Sequence, residues 1–162
     1  MLIREATEAD WPAIWPIVEA VVQAGDTYTY PRDLDEPFGR TLWMPPPPGV
    51  TLVAVDEGGR MLGTAKTGPN HMGPGSHVAT ASFMVAEAAR GRGVGRALGE
   101  AVIERAQAAG YRAMQFNAVV EANRGAVHLW KALGFEIIGT APEAFNHPVE
   151  GLVGLHIMYR RL

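Results

Sequence analysis

The sequence contains no cysteine among its 162 residues. A disulfide framework, a thiol nucleophile and a thiolate metal site are therefore excluded. No apolar run approaches the 18 residues that a membrane-spanning helix needs, and the first ten residues lack the pattern of a signal peptide. From these absences we expect a soluble, cytoplasmic protein that has no membrane segment and uses no metal ion.

Charge is also sparse in this chain. Charged residues make up 19% of the sequence, and the formal net charge is −3, whereas nucleic-acid-binding domains favour a basic patch. We therefore expect no nucleic acid as a partner. Hydrophobic residues, at 48%, are as frequent as in ordinary globular proteins, and this length is typical of one domain. The sequence predicts a single domain over residues 1–162.

The two commonest phosphate-binding motifs are missing as well. The GxxxxGK[ST] motif needs a Gly-Lys-Ser/Thr step, which does not occur, and GxGxxG fails because Arg96 and Leu98 stand where its last glycine should be. What does occur is the heptapeptide Arg-Gly-Arg-Gly-Val-Gly-Arg at residues 90–96. It lies between the strand-like segment 81–85 and a helical pattern.

This heptapeptide does not suit a helix interior, where each glycine costs about 1 kcal/mol relative to alanine. Glycines allow consecutive N–H groups to converge on an anion, and a following helix N-terminus adds unpaired donors and positive potential. Arginines add charge-assisted hydrogen bonds to phosphate oxygens. We predict a pyrophosphate cradle, the alternative being a glycine-rich turn with solvated arginines. Its residues are Arg90, Gly91, Arg92, Gly93, Val94, Gly95 and Arg96.

Hydrophobic periodicity alternates between that of strands and that of helices along the chain. It predicts strands at 1–5, 51–55, 61–67, 77–85, 113–119, 135–139 and 153–159. Helices are predicted up to Gly25, Gly110 and Gly134, with a further short helix ending near Trp43. Residues 26–30 and 140–148 are predicted to be loops. This order predicts an α/β layer structure with a mixed sheet.

Arg-x-x-Gly-x-Gly, from Arg90 to Gly95, resembles the coenzyme A signature of the GCN5-related N-acetyltransferase (GNAT) superfamily. Residues 117–123 (Asn-Ala-Val-Val-Glu-Ala-Asn) and 129–135 (Leu-Trp-Lys-Ala-Leu-Gly-Phe) resemble the segment that follows the family's fifth strand. The resemblance covers residues 75–140 well and the rest in outline. It implies a GNAT-like fold, with a mixed sheet of six to seven strands, about four helices and strands splayed at the cofactor site.

The resemblance implies acetyl-CoA as cosubstrate, direct acetyl transfer to an amine, and roles for particular residues. The backbone of Met84 and Val85 would bind the pantetheine arm, with a Val85 amide exposed by a bulge acting as the oxyanion donor. Asn123 would reach the cofactor from the other side, although it can also be no more than a helix cap.

One departure from the family concerns Trp130, which stands where many relatives carry a tyrosine as general acid. An indole N–H donates a hydrogen bond but is not an acid near neutral pH. A thiol of pKa about 8.5 can still leave as a thiolate. Trp130 is therefore interpreted as core packing that can also form a wall of the acetyl site.

The sequence does not identify the general base. Several residues could serve, and the alternative for each of them is a solvated side chain. Glu87 lies just beyond the central strand and is the first candidate. His77, His147 and Glu150 are the others.

The acceptor pocket is expected to draw on the two predicted loops and the strand between the motifs. Its candidates are Tyr28, Asn117, Phe145, Asn146 and His147. The chain also resembles a subgroup that includes fungal acetyltransferases of proline analogues, such as azetidine-2-carboxylate. That similarity implies a small, amino-acid-like amine. A protein N-terminus as acceptor and a non-catalytic CoA-binding module are the alternatives, and a homodimer is common in the family.

Overall fold

The computed structural model describes all residues, Met1–Leu162. In chain order its strands and helices are β1 (Leu2–Glu5), α1 (Trp11–Ala24), α2 (Glu36–Trp43), β2 (Val50–Val55), β3 (Met61–Pro69), β4 (Val78–Val85), α3 (Val94–Ala108), β5 (Ala113–Val120), α4 (Arg124–Ala132), β6 (Glu136–His147) and β7 (Gly151–Arg161). The predicted α/β class is confirmed. No helix combines the length and the apolar character needed to span a membrane.

The seven strands form one mixed sheet in the order β1-β2-β3-β4-β5-β7-β6. Every neighbouring pair is antiparallel except β4 and β5, which run parallel. These two central strands pair only at their starts, where Val78 faces Ala113 and Ala79 faces Met114. Beyond these residues the strands part, and the sheet opens in its middle.

Helices cover both faces of the sheet because β2 and its neighbours alternate their side chains between two apolar cores. Leu52 and Ala54 of β2 belong to the core under α3 and α4. Val53 and Val55 point to the opposite face and pack with α1 and α2. Helix α1 buries its apolar stripe there and ends at Gly25, whose φ of 67° requires a residue that tolerates the left-handed region.

Residues 140–148 were expected to form a loop, and that expectation is wrong. Strand β6 continues to His147, which pairs with Gly151 of β7. The register shifts between Ala141 and Phe145, so the strand absorbs extra residues around Pro142. A proline is tolerated because β6 is the outermost strand and its outer side has no ladder to maintain. The loop predicted for residues 26–30, by contrast, lies between α1 and α2 as expected.

Helices α3 and α4 meet at a glycine. A Cβ on Gly99 would lie 2.7 Å from Leu133 Cδ1 and 3.1 Å from Trp130 Cζ3, which is closer than a side chain can approach without displacing its neighbours. The contact of these two helices therefore depends on the missing side chain. Because α4 carries Asn123 and Trp130 toward the opening in the sheet, the same contact positions one wall of that opening.

Gly99→Ala should lower the free energy of unfolding by about 1–3 kcal/mol, since overpacking outweighs the better helix propensity of alanine. Gly125→Ala in α4 is the matched control, because a Cβ there meets nothing within 4 Å. The free energy of unfolding of this control variant should be unchanged or rise by up to about 1 kcal/mol. Urea unfolding at constant m value measures both. Equal stability of the two variants would contradict the packing argument.

Candidate cofactor and acceptor site

The opening in the sheet exposes one edge of β4. Ala86 N–H donates to Leu62 O of β3 at 2.9 Å, and the groups that bond across an antiparallel ladder alternate along a strand. Met84 therefore turns its backbone groups toward β3, while Phe83 and Val85 turn theirs toward β5. Since β5 has already diverged, these groups have no strand partner. The sheet thus offers backbone donors and acceptors to a ligand that enters between the strands.

Two details differ from the sequence-based expectation. The predicted bulge in β4 is absent, because its register with β3 runs without a shift from Val85 opposite Gly63 to Ala79 opposite Pro69. The divergence of β5 exposes the Val85 amide instead. The backbone of Met84 belongs to the ladder with Thr64, and its side chain is buried, so a backbone contact from Met84 to the ligand is not supported.

The Tyr28 hydroxyl occupies part of this open edge. It donates to Phe83 O at 2.7 Å and accepts from Phe83 N–H at 2.9 Å. Burial raises the pKa of the Tyr28 phenol well above its ordinary value, although the hydrogen bond donated by the Phe83 N–H lowers it by a smaller amount. Tyr28 therefore stays protonated and joins the α1–α2 loop to β4. Val85 is left as the open position nearest the end of the strand.

A cleft of about 610 Å³ lies between the diverging strands β4 and β5. One wall is the loop at residues 26–30. The others are residues 80–85 of β4, residues 116–120 of β5, and Asn123, Ala126 and Trp130 on the α4 side. Arg90 closes the end nearest α3. The cleft therefore runs from the predicted cradle to the loop between α1 and α2.

The predicted cradle lies at the end of β4. The backbone N–H groups of residues 91–96 donate to no acceptor within the protein, and the first helical hydrogen bond is Ala97 N–H to Gly93 O at 3.0 Å. Gly91 and Gly93 have φ values of 73° and 78°, a conformation in which other residues are strained. The free donors and the positive end of α3 together form a site for an anion.

Gly95 belongs to the predicted cradle and lies beside the side chains of Leu129 and Val85. It lies in the first turn of α3 without a positive φ, and a Cβ there would be at ordinary distances, 3.5 Å from Leu129 Cδ2 and 3.9 Å from Val85 Cγ2. The fold has room for alanine, which would also favour the helix. The missing side chain therefore leaves space beside Leu129 and Val85, and Val85 lines the cleft.

Asn123 and Trp130 lie on the α4 side of the cleft. Asn123 Oδ1 accepts from Ala126 N–H at 3.2 Å, so this residue caps α4, and its amide N–H₂ has no partner. The ring of Trp130 packs against Phe83 and Phe116, with ring centres 4.6 Å and 4.9 Å apart. Trp130 is therefore a core residue that also forms part of the cleft wall.

None of the predicted general bases lines the cleft. Glu87 is exposed beyond the end of β4. His77 Nδ1 lies 3.1 Å from Pro74 O, and His147 Nδ1 accepts from two backbone N–H groups of the β6–β7 turn. Glu150 forms a two-pronged ion pair with Arg124. The structure brings none of these four residues to the opening.

Asp26 is the one carboxylate that lines the cleft. It is half-buried and takes part in none of the ion pairs of the protein. The sequence placed it in the correct loop but did not single it out, because an aspartate after a helix-ending glycine is common in any loop. Its position relative to β4 is a tertiary property.

The residues expected to bind the acceptor divide into two groups. Tyr28 and Asn117 line the cleft. Asn117 is held by neighbouring amides, since its Nδ2 donates to Asn70 Oδ1 at 2.7 Å and its Oδ1 accepts from Gln115 Nε2 at 2.9 Å.

Phe145, Asn146 and His147 do not line the cleft. They lie on β6, which β7 separates from β5. The structure therefore does not bring them to the opening in this chain, because the segment predicted to be a loop is an edge strand.

Known proteins resemble this chain in both sequence and fold. The sequence model of the acetyltransferase (GNAT) family matches residues 7–135. The chain belongs to this family. The predicted family, fold, acetyl-CoA cofactor and class of acyl-CoA-dependent acetyltransferase are thereby confirmed.

Two curated relatives show how far the sequence similarity extends. The N-acetyltransferase aca1 of Schizosaccharomyces pombe is 30% identical over 99 residues, or 61% of this chain and 47% of that protein. The L-methionine sulfoximine/L-methionine sulfone acetyltransferase of Pseudomonas aeruginosa is 37% identical over 97 residues, or 57% of this chain and 54% of that protein. The match spans about half the length of each of these two curated relatives.

Three solved structures match nearly the whole chain. A GCN5-related N-acetyltransferase from Kribbella flavida is 57% identical, with a TM-score of 0.97 and coverage of 99% of this chain and 97% of that one. Ribosomal-protein-alanine N-acetyltransferase from Brucella melitensis is 30% identical, with a TM-score of 0.87 and full coverage of both. The yncA protein of Salmonella typhimurium, solved with its cofactor acetyl-CoA, is 25% identical, with a TM-score of 0.83 and coverage of 100% and 94%.

Gly95→Ala and Gly95→Val should weaken coenzyme A binding about tenfold or more, because the added side chain obstructs the approach to the free amides. The unfolding midpoint of Gly95→Ala should not fall, since the fold has room for its Cβ. Arg92→Ala is the control for charge and should have the smaller effect, because the backbone makes the main contacts. Isothermal titration calorimetry measures the affinities. Wild-type affinity in both glycine variants would contradict the cradle assignment.

Proposed function

We propose that this protein transfers the acetyl group of acetyl-CoA directly to the amine of a small, amino-acid-like molecule. The observation that carries the proposal is the continuous cleft from the cradle, along the open edge of β4, to a polar pocket at residues 26–30. A cleft with an anion site at one end and a single carboxylate near the other suits a phosphate-bearing donor and a small cationic acceptor.

The residues at the cradle end of the cleft support its assignment as the part that binds the acetyl donor. The free amides of residues 91–96 and the side chain of Arg90 would hold the pyrophosphate. The open edge of β4 would bond the pantetheine arm, and the Val85 N–H would donate to the thioester oxygen. Asn123 would use its free amide N–H₂ from the α4 side, next to the wall formed by Trp130. Acetyl-CoA, when bound, supplies an acetyl group activated as a thioester.

Asp26 is proposed to orient the acceptor and take its proton. An amine of pKa about 10 is mostly protonated at pH 7, and freeing its lone pair costs about 4 kcal/mol. A carboxylate at the cleft can hold the ammonium form and then accept the proton, directly or through water. Asp26 fits this role because the other candidate bases lie outside the cleft.

The composition of the pocket supports a small acceptor with one amine. Polyamines and aminoglycosides need several carboxylates, whereas the cleft presents only Asp26. The Pseudomonas relative is named for acetylation of amino-acid derivatives, which agrees with an amino-acid-like acceptor. The proposed homodimer, the cytoplasmic location and a single domain over residues 1–162 stay predictions.

A second candidate acceptor is the N-terminus of a protein. The Brucella protein, which the chain matches over its full length, is named ribosomal-protein-alanine N-acetyltransferase. The two acceptors differ in whether a free carboxylate accompanies the amine. Free amino acids and alanine-starting peptides therefore distinguish them.

The direct test is thiol release from acetyl-CoA with a panel of amines. The panel holds free amino acids, L-methionine sulfone, an alanine-starting peptide and spermidine. We expect turnover with at least one free amino acid or sulfone and poor turnover of spermidine. Preference for the peptide would favour the second acceptor. Tight binding of acetyl-CoA without turnover of any amine would contradict the proposal and favour a non-catalytic CoA-binding module.

Asp26→Asn should lower kcat/KM for the best amine by about 10²- to 10⁴-fold, the usual contribution of a positioned base. Glu87→Gln is the matched carboxylate-to-amide control and should change kcat/KM less than threefold, because Glu87 lies outside the cleft. Steady-state kinetics near neutral pH measure both variants. A large loss in Glu87→Gln, or none in Asp26→Asn, would show that the base has been misassigned.

The pH profile of kcat/KM should rise toward the pKa of the amine and show no fall up to about pH 10. Trp130 is not an acid, and burial raises the pKa of both tyrosines that line the cleft, Tyr28 and Tyr30. Tyr28 keeps its proton throughout this range because burial raises its pKa. Trp130→Tyr should be tolerated or modestly increase turnover. A clear alkaline limb in the wild-type profile would show that another acid exists, and Tyr30, the other tyrosine that lines the cleft, would then be tested.

A further inference from the structure

Lys66 carries a half-buried ammonium group that has no carboxylate partner. Its Nζ donates to Leu42 O at 2.5 Å and to the Tyr30 hydroxyl oxygen at 3.3 Å. It also lies 5.5 Å from the ring centre of Trp43 and 5.9 Å from that of Tyr30. None of the ion pairs of the protein includes Lys66. Burial lowers its pKa, as expected for a cation that lacks a counter-ion.

Tyr30 stands between this cation and the cleft. Its ring stacks on that of Tyr28, with ring centres 5.6 Å apart and planes 6° apart, and Tyr28 is itself fixed to Phe83. Tyr30 lines the cleft, and its hydroxyl accepts from Lys66 but donates to no acceptor in the protein. A hydroxyl that accepts from a cation is polarised and becomes a stronger donor. Tyr30, a residue of the cleft wall, therefore carries an O–H donor next to a positive charge.

We propose that Tyr30, positioned and polarised by Lys66, binds the carboxylate of the acceptor and thereby selects amines that carry one. This inference rests on the proposed function. A carboxylate at Tyr30 would supply the anion that the unpaired Lys66 lacks, and such charge-assisted hydrogen bonds are stronger than neutral ones. Lys66 itself does not line the cleft, so it acts as a positioning residue.

The other polar groups of the cleft are less suited to this role. Arg90 is the only cation that lines the cleft, and it belongs to the cradle end. Asn117 is neutral, and both ends of its amide are engaged with Asn70 and Gln115. Asp26 and Tyr30 lie on the same loop, four positions apart in sequence. A carboxylate for the ammonium group and a polarised donor for the carboxylate together match the two charges of an amino acid.

The experiment compares an amino acid with its own α-amide. The acceptors are the free amino acid or sulfone with the highest kcat/KM in the panel and the α-amide of the same compound. Wild-type protein should prefer the acid form. Tyr30→Phe and Lys66→Met should each raise KM for the acid roughly 10- to 100-fold, the range expected for a hydrogen bond to a charged group. Their KM for the amide should change less than threefold, and Lys66→Arg should retain most of the selectivity.

Tyr111→Phe is the matched control, because Tyr111 lies outside the cleft, and it should alter neither KM. Coenzyme A affinity by calorimetry should be unchanged in every variant, which shows that the fold and the donor end are intact. An equal increase in KM for the acid and for its amide would show that Tyr30 has only a structural role and would overturn the inference. Wild-type turnover of the amide as fast as the acid would overturn it as well. Absence of turnover with every amine would instead be a failure of the proposed function itself.

Discussion

The parting of β4 and β5 after two residue pairs is the constraint on which the rest of the site depends. A strand in the middle of a sheet normally satisfies its backbone on both sides, so this divergence leaves donors and acceptors that need other partners. The Tyr28 hydroxyl satisfies both groups of Phe83, and Val85 remains open. Because the same strand runs directly into the free amides of residues 91–96, one continuous run of backbone groups can bind a long donor molecule.

The acceptor end depends on how firmly the α1–α2 loop and α2 are attached to the sheet. Trp43 at the end of α2 is fully buried, and its Nε1 donates to Thr64 Oγ1 at 3.0 Å. Thr51 Oγ1 donates to Trp43 O at 2.6 Å. These bonds fix the chain on which Leu42 lies, and Leu42 O in turn holds the ammonium of Lys66. The polar pocket is therefore a consequence of core packing on the α1–α2 face of the sheet.

The sequence could predict the cradle because its chemistry is local: the positive φ of Gly91 and Gly93 and the free amides belong to consecutive residues. It failed at residues 140–148, which were expected to form a loop although an edge strand tolerates the proline and polar residues found there. It also could not identify the pairing of Tyr30 with Lys66, which joins residues 36 positions apart. The sequence also could not show that the divergence of β5 from β4 exposes the Val85 amide and that β4 has no bulge. The angle between two strands is set by the packing of whole helices and strands.

The most direct test of the central claim is a titration with coenzyme A followed by the backbone amide resonances of the protein in ¹⁵N–¹H spectra. The account predicts the largest changes at residues 91–96 and at Val85. Inorganic pyrophosphate alone should shift the residues of the cradle and leave Val85 unchanged, because it cannot reach along β4. Changes concentrated elsewhere, with residues 91–96 unaffected by coenzyme A at saturation, would contradict the account.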